Sequence, residues 1–233
     1  MDYFNFFAFA IFPYIAGAVF IIGSIIRFDS EQYTWKADSS QLMSNKGVRL
    51  ASNLFHIGII GIFLGHLVGL LAPYALWQTI ALSDLGKQNI AMYGGGFLGI
   101  LCLIGGVMLW WRRITNPRVR AAGRSSDLFI LSWLLITLIL GLSTTFATAQ
   151  HAAHGSADTM MAMSQWAKSI VLFSPQPELV AQSELVFRLH LIFGMMVFLF
   201  FPFTRLVHIW SVPFGYLGRA YQIVRSNRAE LRR

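Results

Sequence analysis

The stretch Ser183–Pro213, SELVFRLHLIFGMMVFLFFPFTRLVHIWSVP, decides the fold of this chain. It is apolar and long enough to cross a bilayer, because about 20 apolar residues at about 1.5 Å each span the roughly 30 Å hydrocarbon layer. Two histidines interrupt it, His190 and His208, 18 positions apart. In one continuous helix that spacing is about five whole turns and roughly 27 Å, which puts both rings on one face near opposite membrane surfaces. A polar side chain in lipid is costly and turns toward a bundle interior or a bound ligand.

The rest of the chain supports a membrane reading. Its 233 residues are 56% hydrophobic and 12% charged, with a mean hydropathy of +0.59, too apolar for an ordinary soluble domain. Apolar segments lie near residues 4–26, 51–72, 90–111, 127–147 and 186–210. None alternates over about ten residues as a membrane barrel strand does. The expected fold is therefore all-α, an integral bundle of five transmembrane helices. It forms a single domain over residues 1–225, followed by a basic cytoplasmic tail over 226–233.

The net charge of +8 is a topology signal and not a nucleic-acid footprint. Arg27, Lys36, Lys46 and Arg49 flank the first loop. Arg112, Arg113, Arg118, Arg120 and Arg124 flank the third, and Arg219, Arg225, Arg228, Arg232 and Arg233 end the chain. The second and fourth loops hold only Lys87 and Lys168. The positive-inside rule then puts the N-terminus outside and the C-terminus in the cytoplasm of a multi-pass membrane protein. Cys102 is the single cysteine, so neither an intrachain disulfide nor a thiolate cluster can form. The opening MDYFNFFAFAIFPYIAGAVF carries Asp2 in place of a basic leader and reads as a retained first helix, bent or started by Pro13.

The second segment, ASNLFHIGIIGIFLGHLVGLLAP, answers the fifth. His56 and His66 are ten residues apart, roughly 15 Å along a helix. The two segments run in opposite directions, so His56 matches His208 in depth and His66 matches His190. A haem iron takes one axial imidazole on each face, so two depth-matched pairs imply two stacked bis-histidine sites. One feature opposes this: ten residues turn a straight helix so that His56 and His66 point roughly 80° apart. Gly58, Gly61, Gly65 and Gly69 form a stripe that serves either close helix packing or a flat macrocycle.

The remaining segments are less specific. The first loop reads either as an interfacial segment anchored by Tyr33 and Trp35 or as a docking surface. Ser143, Thr144 and Thr145 bond back to their own helix. The loop Thr148–Gln182 holds His151 and His154, read as solvated, and an amphipathic run that lies on the outer membrane surface or caps a substrate entry.

The stretches PYIAGAVFIIGS, QYTWKADSSQ, SNLFHIGIIGIFLGH, LCLIGGV and FRLHLIFGMMVFLFFPFTRLVHIWSVPFGYL closely resemble the gamma subunit of membrane-bound respiratory nitrate reductase, a dihaem cytochrome b. The likeness runs from the first helix almost to residue 225. It implies a distal haem b on His66 and His190 and a proximal haem b on His56 and His208. It also implies a quinol site beside the distal haem, with Lys87 in it and Gly65 and Gly69 at the same end. The implied function is oxidation of menaquinol or ubiquinol near the periplasmic face. Electrons then pass to an iron–sulphur beta subunit and a molybdenum-containing alpha subunit, where nitrate is reduced. Arg205, Arg112 and Arg113 are candidate partners of the proximal haem propionates. The alternatives are the cytochrome b of another quinone-linked oxidoreductase, or a haem-free membrane anchor.

Overall fold

A computed structural model describes residues 2–31, 47–79 and 81–211. Tyr33, Trp35, Lys36, Lys46 and the tail 226–233 lie outside the described residues. The chain is all-helical where described. Five helices are long and apolar enough to cross a membrane: α1 (Tyr3–Ser30), α2 (Val48–Leu71), α3 (Asp84–Thr115), α4 (Ser125–Ala153) and the fifth span, Leu185–Phe203. The α-helical part of that last span is α6 (Leu185–Phe200), and a shorter helix, α5 (Asp158–Val171), precedes it.

Successive neighbours are α2 on α3, α3 on α4, α4 on α6, and α6 on α1. Glycines set the closest of these approaches. A Cβ on Gly58 would lie 2.6 Å from Cys102 Cβ and 2.7 Å from the Leu98 carbonyl oxygen, and one on Gly105 would lie 2.6 Å from the Ala51 carbonyl oxygen. No larger residue fits either position without parting α2 from α3. Trp110 Nε1 donates to Ser132 Oγ at 2.9 Å between α3 and α4, and Trp133 Nε1 donates to the Phe193 carbonyl at 3.1 Å between α4 and α6. Within the described residues α2 and α6 share no extended packing. A slot remains between them.

Pro13 shapes α1 as its sequence suggests. Lacking an N–H, it cannot bond the carbonyl of Phe9, and a π-helical turn occupies Phe7–Ile11 just before it. The freed Phe9 carbonyl accepts the indole N–H of Trp166 at 2.9 Å. That bond fixes α5 across the bundle end. Met163 and Trp166 of α5 join Phe9 and Ala16 of α1 and Met195 of α6 in one buried cluster, and Ser164 Oγ donates to the Leu70 carbonyl of α2 at 3.0 Å. The amphipathic run is thus a helix packed on three spans.

The fifth span departs from expectation. It does not run as one helix from His190 to His208: α6 ends at Phe200, a 3-10 turn covers Phe201–Phe203, Thr204 is extended, and a second 3-10 segment covers Arg205–Ser211. Pro202 removes the donor that would continue the α pattern. The shared face inferred from five whole turns rested on a helix that is in fact broken. In α4 the hydroxyls of Ser143, Thr144 and Thr145 do bond back, to Ile139 and Gly141 carbonyls at 2.7–3.2 Å.

Candidate functional site

Four histidines face one another across the slot in the pairs that depth alone gives. The ring centroids of His66 and His190 are 6.0 Å apart, and those of His56 and His208 are 6.4 Å apart. His66 and His56 stand on α2, His190 on α6, and His208 on the 3-10 segment beyond the break.

Each of the four rings engages a backbone carbonyl through Nδ1. His56 bonds Ser52 at 2.7 Å, His66 bonds Ile62 at 2.8 Å, His190 bonds Thr137 of α4 at 3.1 Å, and His208 bonds Arg205 at 2.6 Å. A carbonyl only accepts, so each Nδ1 donates its N–H. Among the described residues no Nε2 of the four has a hydrogen-bond partner. Four imidazoles with Nδ1 committed to a carbonyl and Nε2 free of hydrogen bonds could hold a metal between the two rings of each pair.

The spacing fits a haem iron. A metal–imidazole bond of about 2.0 Å and a ring radius of roughly 1.1 Å put the centroids of two trans imidazoles roughly 6.2 Å apart. Both pairs lie within 0.2 Å of that figure. The interplanar angles are 47° for His66 and His190 and 76° for His56 and His208.

Small residues clear the space beside the rings. A Cβ on Gly141 of α4 would lie 2.9 Å from His190 Cε1, so the imidazole occupies the room its missing side chain leaves. Nothing in the sequence of α4 marks Gly141. The glycine stripe of α2 divides: Gly58 and Gly61 pack on Cys102 and Leu98, whereas a Cβ on Gly65 or Gly69 would meet no atom within 4 Å. Gly194, one turn from His190, also faces open space. Close packing therefore accounts for Gly58 and Gly61 and not for Gly65 and Gly69.

The other candidates fall at the two ends of the slot. Lys87 sits in the first turns of α3, 6% exposed, with Nζ 5.0 Å from the centre of the Trp77 ring. It makes no hydrogen bond to either histidine pair. At the opposite end Arg113 Nη1 and Arg205 Nη1 converge on Asp127 Oδ2 of α4, at 3.2 and 3.5 Å. Asp127 is buried and carries no periodic or motif signal in the sequence. His151 is not loop but the last turn of α4, and its Nε2 meets Glu184 Oε1 at 2.9 Å. His154 caps that helix with Nδ1 on the Gln150 carbonyl at 2.8 Å. Neither faces a second histidine.

A family model described as the nitrate reductase gamma subunit matches residues 5–227. The chain is 52% identical to the respiratory nitrate reductase 1 gamma chain of Escherichia coli over 97% of this chain and 99% of that one. It is 34% identical to the nitrate reductase gamma chain of Bacillus subtilis over 92% and 95%. It is 26% identical to an Hdr-like menaquinol oxidoreductase cytochrome b-like subunit of Archaeoglobus profundus, over 70% of this chain and 46% of that protein.

Proposed function

The chain belongs to the nitrate reductase gamma subunit family, and from that membership we propose that it is the quinol-oxidising membrane subunit of a respiratory nitrate reductase and holds two b haems. One observation carries the reading. Two histidine pairs stand with ring centroids 6.0 and 6.4 Å apart, room that would let each pair hold one haem iron, with all four Nδ1 atoms committed to carbonyls.

His66 and His190 hold the distal haem near the periplasmic face; His56 and His208 hold the proximal haem near the cytoplasmic face. When bound, the haems supply one-electron carriage across the bundle. The distribution of basic residues supports a periplasmic N-terminus and a cytoplasmic C-terminus in the inner membrane. On the cytoplasmic side the chain docks the iron–sulphur beta subunit, which leads to the molybdenum-containing alpha subunit.

The residues at the other end act on the quinol. Lys87, buried under Trp77, offers an ammonium to a quinol oxygen in a setting poor in water, where such a bond is strong. The open faces of Gly65 and Gly69 let a flat ring approach α2. The α5 lid, locked by Trp166 on Phe9, keeps that end of the slot closed from above. Menaquinol or ubiquinol loses two electrons and two protons, and the protons leave on the side where Lys87 lies. Each electron crossing about 100 mV corresponds to roughly 2.3 kcal/mol, so separating the two sites across the membrane conserves energy. The name of the archaeal relative, a menaquinol oxidoreductase cytochrome b-like subunit, supports the quinol assignment.

The test is a haem b count per polypeptide in the assembled complex. Two haems are expected, one lost in His66→Ala or His190→Ala and the other in His56→Ala or His208→Ala. Nitrate is expected to reoxidise both. A haem-free polypeptide would leave only a membrane anchor, and haems that nitrate fails to reoxidise would assign the chain to a different oxidoreductase.

A further inference from the structure

We propose that Arg27 is a positioning residue for His208: from α1 it holds the fifth span broken between Phe200 and Arg205, and so aims the imidazole that faces His56. The inference rests on the haem reading of the His56–His208 pair.

A single guanidinium nitrogen of Arg27 donates to the carbonyls of Pro202 at 2.6 Å and Thr204 at 2.8 Å. In a continuous α-helix those two carbonyls would accept from the backbone N–H groups of Leu206 and His208. Arg27 takes the place of both bonds. Leu206 N turns instead to Thr204 Oγ1 at 3.4 Å, and the His208 ring bonds the Arg205 carbonyl at 2.6 Å, a contact made within the 3-10 segment itself. One turn before Arg27 on the same face, Gly23 receives the Pro202 ring: a Cβ there would lie 2.8 Å from Pro202 Cγ. Pro202 and Thr204 are both buried. Gly23 supplies the hollow and Arg27 the two donors, so α1 is a mould for the break. A basic residue serving only to mark the membrane surface would need neither.

The experiment uses the assembled complex in membranes, with Arg27→Met, Arg27→Lys and Gly23→Ala set beside His208→Ala. Haem b per polypeptide and the midpoint potential of each haem are measured. Arg27→Met keeps the volume and removes the donors, and is expected to weaken retention of the His56–His208 haem roughly tenfold to hundredfold. The His66–His190 haem keeps its content and potential. Arg27→Lys restores most of the lost haem, and Gly23→Ala reproduces the Arg27→Met pattern in milder form. The inference is overturned if Arg27→Met holds both haems at native content and potential. It is overturned equally if both haems are lost together, as from a residue that only holds the bundle. If His208→Ala itself retains two haems, the haem assignment fails and takes this inference with it.

Discussion

Gly141→Ala tests whether the ring geometry of the His66–His190 pair is functional or incidental packing. The added methyl would lie 2.9 Å from His190 Cε1 and 3.4 Å from each ring nitrogen. Carbon atoms rest about 3.5–4.0 Å apart, so the ring must retreat by about 0.6 Å or more. It is not free to slide, because Nδ1 is held by the Thr137 carbonyl at 3.1 Å. A metal–ligand distance tolerates about 0.2 Å. The displacement is therefore about three times what the bond absorbs, and loss of the tuned position is expected to cost about tenfold to hundredfold in haem retention, or about 1.4–2.8 kcal/mol. The assay is haem b content with reduced-minus-oxidised spectra of purified complex. Gly96→Ala serves as control, since its methyl would meet only Thr145 Cγ2 at 3.7 Å. One haem is expected to fall and the other to persist. If Gly141→Ala keeps two haems with unchanged spectra and potentials, the 6.0 Å ring separation is not a coordination geometry.

Two further outcomes separate packing from chemistry. Gly105→Ala drives a methyl to 2.6 Å from the Ala51 carbonyl, a backbone atom that cannot swing aside, so α2 moves off α3. Because α2 carries one histidine of each pair, both haems should be lost together and the thermal midpoint lowered; a variant with native haem content would show that α3 does not hold α2 in place. Lys87→Met should leave both haems bound while slowing their reduction by added quinol by about tenfold or more, the worth of one hydrogen bond to a charged group. Quinol reduction at the native rate would remove Lys87 from the quinol site.

Hydropathy alone locates all five spans, because a bilayer demands long apolar runs and punishes anything else. What it misses is set by residues distant in sequence. Pro202 lies in plain view, yet proline is tolerated inside membrane helices whenever neighbours satisfy the freed backbone groups. Whether the helix bends or breaks depends on Arg27 and Gly23, some 175 residues earlier, where Arg27 looks like an ordinary topology marker. The π turn before Pro13 has the same character, since its carbonyl finds a partner in Trp166, 157 residues on. Asp127 and Gly141 carry no signal of their own because their meaning lies in Arg205 and His190, on another helix.

The histidine pairing was legible even though the helix that suggested it is broken, and the reason is geometric. Replacing α-helix by 3-10 helix adds about 0.5 Å of rise and about 20° of rotation per residue. Over roughly seven residues the depth of His208 changes by about 3.5 Å, less than one turn, while its direction changes by about 140°. Depth survives such a break and facing does not. The same freedom disposes of the 80° divergence between His56 and His66: their partners need not share a face, because His190 projects from α6 and His208 from the segment beyond Thr204. Nor does any property of a lone histidine select the four. His154 also commits Nδ1 to a carbonyl, but it faces no second ring, and His151 spends Nε2 on Glu184. What sets the four apart is pairing at matched depth between α2 and the fifth span, and two pairs meet that condition among the described residues.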